Sequence, residues 1–176
     1  MTEQGAGTVV CDAGPLIHLD ELDSLRLIGG FQRVIVPDPV YEEVNRHRPG
    51  GLEKSGLSFT REAIRGPRRE ETVVLGRLLA LDAGEMAALG LMEKYPGAIF
   101  LSDDCAARLA AERMGYEVHG TIGLVVRAIR KRLLSVEEVL RLLRELPRRS
   151  TLHIRLSLLE EIISQVEKSA DLSPSE

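Results

Sequence analysis

The residues of this 176-residue chain best placed to do chemistry are carboxylates that follow short apolar runs. Thr8-Val9-Val10-Cys11 runs into Asp12, and Ala98 to Leu101 runs into Ser102-Asp103-Asp104. If these runs are neighbouring parallel strands, Asp12, Asp103 and Asp104 crowd together at the strands' carboxyl ends. Like charges held that close are costly unless they are protonated or shared by a cation. Oxygen donors without paired histidine or cysteine spacing favour Mg2+ or Mn2+ over zinc. Asp12 and Asp103 each also precede a helix, and an N-cap role explains either one alone. One cap needs only one carboxylate, so the Asp103-Asp104 pair weighs toward a site.

Two more acids and a threonine complete the candidates. Glu85 opens a helix in Asp82-Ala83-Gly84-Glu85, which is also a capping box, and spacing alone favours the box. Glu43 lies in a helix with Arg46 three residues on, a pattern that by itself gives a solvated residue in a weak ion pair. Thr121 starts a helix whose backbone N–H groups suit a phosphate or a water on the ion. Its position favours the simpler role of cap.

The elements that must carry these residues alternate. Strands are predicted at Thr8–Cys11, Val34–Val36, Ala98–Leu101 and Tyr116–His119, with a further short one near Leu57–Thr60 in an otherwise irregular stretch, 47–71. Helical periodicity runs from Leu16 to Ile28 and predicts helices over 38–46, 72–80, 83–94, 105–114 and 121–132. Ser135 with Glu138 forms a capping box for a helix that Pro147 should stop near Leu146. A last helix spans 156–168. Strands alternating with helices predict an α/β fold of three layers, α/β/α, around a short parallel sheet. In such sheets ligands bind beyond the carboxyl ends of the strands, where the strand order switches. Residues 1–7 read as a disordered N-terminus, 8–168 as a single domain and 169–176 as a flexible tail.

The run Val9-Val10-Cys11-Asp12-Ala13-Gly14-Pro15-Leu16-Ile17-His18-Leu19 resembles the opening of a PIN-like domain of the prokaryotic group DUF3368. Three more stretches follow in the order of that group: Val36-Pro37-Asp38-Pro39-Val40-Tyr41-Glu42-Glu43-Val44, then Leu81-Asp82-Ala83-Gly84-Glu85-Met86-Ala87-Ala88-Leu89, then Phe100-Leu101-Ser102-Asp103-Asp104. Gly120-Thr121-Ile122-Gly123 and the closing helix are similar too. The resemblance implies a metal-dependent ribonuclease fold like that of VapC-type toxins. It implies Asp12, Glu43, Glu85 and Asp104 as the acidic quartet holding Mg2+ or Mn2+, with Asp103 as an adjacent acid. It also implies RNA as substrate, a small antitoxin protein as partner and a homodimer. Arg108 completes a D-D-x-x-x-R pattern, while Cys105 departs from the basic or polar residue of many relatives. Some members of the group have no demonstrated activity, so a catalytically silent module binding nucleic acid or a protein stays open as the alternative. A receiver-like phosphoacceptor ranks last, because Lys54, Lys94, Lys131 and Lys168 lie in a loop or in helices rather than at a late strand end.

Composition bounds the rest. The formal net charge of −4 hides a basic stretch, 127–155, with nine basic residues against three acids, and arginines at 61, 65, 68 and 69. These supply either phosphate contacts or a solvated helix face. With three Phe, three Tyr and no Trp, base-stacking platforms are few. His18, His47, His119 and His153 show no ligand pairing and read as structural. Cys11 and Cys105 read as buried, reduced thiols. Leu156, Leu159, Ile162, Ile163 and Val166 stripe the last helix for the core, a second subunit or an antitoxin. No apolar run reaches membrane length and no leader is evident, so a cytoplasmic protein is expected.

Overall fold

A computed structural model describes residues 7–171. Five short strands, β1 (Thr8–Cys11), β2 (Arg33–Pro37), β3 (Thr60–Glu62), β4 (Ile99–Leu101) and β5 (Glu117–His119), form one all-parallel sheet in the order β3-β2-β1-β4-β5. The helices are α1 (Ala13–Glu21), α2 (Asp38–His47), α3 (Gly51–Lys54), α4 (Glu70–Leu78), α5 (Ala83–Lys94), α6 (Cys105–Arg113), α7 (Thr121–Arg130), α8 (Val136–Arg149) and α9 (Leu156–Asp171).

The strands are apolar throughout because both sheet faces are covered. Successive side chains alternate across the pleat. Val9, Cys11, Val34, Val36 and Leu101 enter a core shared with residues of α1, α7, α8 and α9. Val10, Ile35 and Phe100 enter the other, against Ala88, Leu89 and Met92 of α5 and Ala107, Ala110 and Ala111 of α6. That is the three-layer α/β/α arrangement the pattern predicts.

The chain builds outward from β1 to β2 and β3, then crosses back to lay β4 and β5 on the other side of β1. The order therefore switches between β1 and β4, where Cys11 pairs with Leu101. Asp12 and Ser102-Asp103-Asp104 leave the sheet side by side at that point.

Four expectations are corrected. The helix expected through Ile28 ends at Glu21, because Asp23 takes a left-handed backbone (φ 51°), and Leu25–Gly30 continues as a 3₁₀ turn. The strand expected near Leu57–Thr60 falls at Thr60–Glu62, where Thr60 pairs with Ile35. The stretch before it also holds α3, which buries Leu52. Pro147 does not stop α8, which continues to Arg149. A proline in the last turn removes one backbone bond, but Val139, Leu142, Leu143 and Leu146 already bury the helix, and Ser150 N–H still closes on the Leu146 carbonyl at 3.0 Å. Helix α9 runs to Asp171, past the expected 168, and puts Leu159 and Val166 into the core. Of the unstructured segments expected at 1–7 and 169–176, residues 1–6 and 172–176 lie outside the described residues. Among the described residues, no helix is long and apolar enough to cross a membrane.

Candidate active site

Asp12 sits at the centre of the switch point. Its backbone N–H donates to the Leu101 carbonyl at 2.8 Å, extending the β1–β4 ladder by one residue. Its carboxylate caps α1, with Oδ1 accepting from Ala13 N–H at 2.8 Å. Oδ2 accepts from the Ser102 hydroxyl at 2.8 Å, and Ser102 Oγ accepts in turn from Asp104 N–H at 3.2 Å. One buried serine thus ties the two strand ends together. Asp12 is only 6% exposed, and burial, reinforced by Asp82 and Glu43, pushes its pKa up to about 6 against its hydrogen bonds.

Asp104 caps α6: its Oδ1 accepts from Ala106 and Ala107 N–H, each at 2.8 Å. Its Oδ2 has no hydrogen-bond partner among the described residues. Cap and site are therefore compatible readings here, since a carboxylate has two oxygens.

Glu85 closes the capping box with Asp82. Glu85 Oε2 accepts from Asp82 N–H at 2.8 Å, and Asp82 Oδ1 accepts from Glu85 N–H at 2.9 Å. Oε1 remains free among the described residues. Desolvation, followed by Asp82, Asp104 and Asp12, pushes Glu85 up to about 7. Glu43 reaches the same place from α2, which packs against α5. Half-buried and without a carboxylate partner among the described residues, it is raised by desolvation and then by Asp82. A Cβ on buried Gly84 would sit 3.4 Å from Glu43 Oε2 and 3.3 Å from Asp82 Oδ1. The missing side chain leaves room where two carboxylates approach.

Asp103 turns away from this group. Its Oδ1 accepts from Thr121 N–H at 2.7 Å, and its Oδ2 from the Thr121 hydroxyl at 2.6 Å, with His18 Nδ1 at 2.8 Å. Asp103 thereby caps α7 from β4, a role that glycine at the N-cap position cannot fill. Thr121 is fully buried and spends both donors on Asp103, and Gly120, not Thr121 as expected, holds the N-cap position of α7. Cys105 is exposed, not buried as expected, because it takes the first position of α6 at the crevice; Cys11 is buried, and desolvation pushes its thiol far up.

Sequence reasoning gave no role to Ser102 and read Asp82 only as a cap. The serine immediately before the acid pair was the available signal; nothing local marked Asp82 as a neighbour of Asp12. Among the described residues, no three acidic, histidine or cysteine side chains are already drawn into a metal cage. The donor set nevertheless fits a hard cation: Asp12, Glu43 and Glu85 are all raised by burial and mutual repulsion, and Glu43, Glu85 and Asp104 keep oxygens unspent.

Of the basic residues, several are engaged inside the protein. Arg144 pairs with Glu167, Arg149 with Glu145 and Asp23, and Arg127 lies 4.4 Å over the Phe31 ring. Arg61 pairs with Asp38 and Glu42.

A profile of the DUF3368 family, described as a PIN domain, matches residues 8–168. No curated protein matches the chain, and no solved structure does.

Proposed function

The chain belongs to the DUF3368 family of PIN domains, and from that premise we propose that it is a Mg2+- or Mn2+-dependent endoribonuclease, the toxin half of a toxin–antitoxin pair. The family's fold is a nuclease-type fold, and PIN domains generally use divalent metal ions. The observation that carries the reading is the set of carboxylates gathered at the switch point: Asp12 is buried, Glu43 and Glu85 are half-buried, the pKa of all three is raised, and Glu43, Glu85 and Asp104 keep oxygens unspent among the described residues. A phosphodiester is an anion, and this pocket repels it until a cation stands between them.

Asp12, Glu43, Glu85 and Asp104 are the residues that would hold the ion. When bound, Mg2+ or Mn2+ offsets the phosphodiester charge and lowers the barrier to attack by water. In this reading Glu85 would hold the ion through Oε1, giving up to it the proton that its raised pKa of about 7 retains near neutral pH. Ser102 orients Asp12, and Asp103 positions α7 and His18 rather than the substrate. We further propose a small antitoxin and a homodimer as the protein's partners.

The test is RNA cleavage with each ion and with chelator, by wild type and by Asp12→Asn. Cutting that needs the ion and disappears in the variant supports the reading; metal-independent cutting, or an unimpaired variant, overturns it. The second reading, a silent module that binds nucleic acid or protein, draws on the spacing of the acids, which form no ready-made cage among the described residues. Calorimetric titration with Mn2+ separates the two, because a silent module has no need of the ion.

A further inference from the structure

Beside the acids lies a cleft of about 750 Å3, lined among others by Asp38, Ile64, Arg68, Leu81, Asp82 and Met86. Asp82 belongs both to its wall and to the acid group. Arg68 also lines the cleft, lying over Gly90 farther along α5 from the Asp82 cap. Unlike Arg61, Arg68 makes no ion pair or hydrogen bond among the described residues, and its Nε is buried with no partner. Burying an unpaired guanidinium N–H is costly, and a native fold seldom retains such a group without a use for it. The seat of this side chain is built: a Cβ on Gly90, inside α5, would sit 3.1 Å from Arg68 Nε and 2.7 Å from Ile64 Cδ1. Glycine in a helix interior is less favourable than alanine, and here it lets the arginine stem lie against the helix. Beyond Arg68 a second space of about 420 Å3 continues toward exposed Arg77, sharing Val73, Leu81 and Met86 with the first.

We propose that this cleft seats the nucleotide adjacent to the bond at the acid group, with the Arg68 guanidinium clamping its phosphate; the proposal rests on the ribonuclease reading above. The charge order supports it. At the Asp82 end an anion needs a cation, and at the Arg68 end it meets a planar donor that binds phosphate through two N–H groups at once. The wall between is aliphatic, from Leu81, Met86 and Ala87, and suits the face of a base. Among the described residues, no aromatic side chain lines either space. The subsite therefore holds the backbone and buries the base without reading its edge, and strand passage toward Arg77 is sequence-tolerant.

The test uses the full chain carrying Asp12→Asn, so that RNA is bound in Mg2+ without being cut. Binding of a fluorescein-labelled 12-nucleotide single-stranded RNA is followed by anisotropy across salt concentrations. Adding Arg68→Met, which keeps the stem and removes the guanidinium, is expected to weaken binding about fivefold to tenfold. The slope of log Kd against log salt should fall by about 0.7, the value of one single-strand phosphate contact. Arg68→Lys should recover part of the affinity and the full slope. Arg113→Ala, at the end of α6 away from the strands' carboxyl ends, should change neither. Thermal unfolding of each variant confirms the fold. If Arg68→Met matches its parent while wild type still cuts RNA, the cleft proposal fails and the ribonuclease reading stands. Weakening by Arg144→Ala in its place puts the strand on the basic C-terminal surface and also overturns it. If wild type neither cuts nor binds RNA, both fall.

Discussion

Replacing Asp12 by asparagine should make the metal-free protein more stable at pH 8, although the residue lies at the heart of the site. Its pKa of about 6 stands against about 3.9 for an unperturbed aspartate, and at about 1.36 kcal/mol per pH unit the ionised carboxylate carries about 3 kcal/mol of strain in the fold. The sign follows from proton binding. Between pH 4 and 6, roughly the interval bounded by those two values, the native state binds more protons than the unfolded state. Wild-type stability therefore falls as pH rises through that window and is level above it. Asparagine keeps an acceptor for Ala13 N–H but sets an amide N–H2 against Ser102, whose hydroxyl proton loses its acceptor, at about 1 kcal/mol. The net gain at pH 8 is about 2 kcal/mol, or about 4–8 °C in Tm for a chain of this size. Near pH 4 the gain vanishes and the variant becomes the less stable by about 1 kcal/mol. Urea and thermal unfolding in chelator across this pH range, read as the difference between the two proteins, measures it. Repeating the series in Mn2+ should stabilise wild type more than the variant, which keeps Glu43, Glu85 and Asp104 as donors. A difference independent of pH, or a variant less stable than wild type at pH 8 in chelator, refutes the argument that burial strains this carboxylate.

The other carboxylates and their supports carry further expectations. Because Glu85 titrates at about 7, an ion must displace its proton at lower pH, so Mn2+ affinity should fall about tenfold from pH 8 to pH 6; calorimetry should show a weaker but flatter dependence in Glu85→Gln, and parallel curves would sink the assignment. Thr121→Val removes the hydroxyl from Asp103 while keeping the backbone bond, and should cost about 1.5–3 kcal/mol as a charge-assisted hydrogen bond in a buried setting; a loss under about 0.5 kcal/mol in urea unfolding would contradict that role. Ser102→Ala strips a donor from Asp12 and an acceptor from Asp104 N–H, so carboxyl-detected NMR titration should place Asp12 above 6. An unchanged titration would mean the serine does not hold the carboxylate.

The alternation of short apolar runs with helical periodicity was enough to predict the three-layer fold, because both periods are local and both faces of a parallel sheet leave the same apolar signature. The cap at Asp12 and the boxes at Asp82–Glu85 and Ser135–Glu138 were equally legible, since each closes within three residues. The end of α8 was not. A proline stops a helix when nothing outweighs its lost bond, and the four buried residues before Pro147 are known to be buried only once the packing is known.

The sequence by itself determined that carboxylates would stand at strand ends and helix starts, where an apolar run or a cap places them. Only the tertiary structure decided which oxygens are left to meet a ligand. Asp103 is claimed by Thr121 and His18, 18 and 85 residues away, while Asp104 beside it keeps an oxygen free among the described residues. Asp82 keeps its local role as a cap and also joins Asp12 and Glu43 in one repelling group. These distinctions depend on β4 being laid beside β1 and on α5 meeting α2, and no pattern confined to one stretch of chain encodes that order.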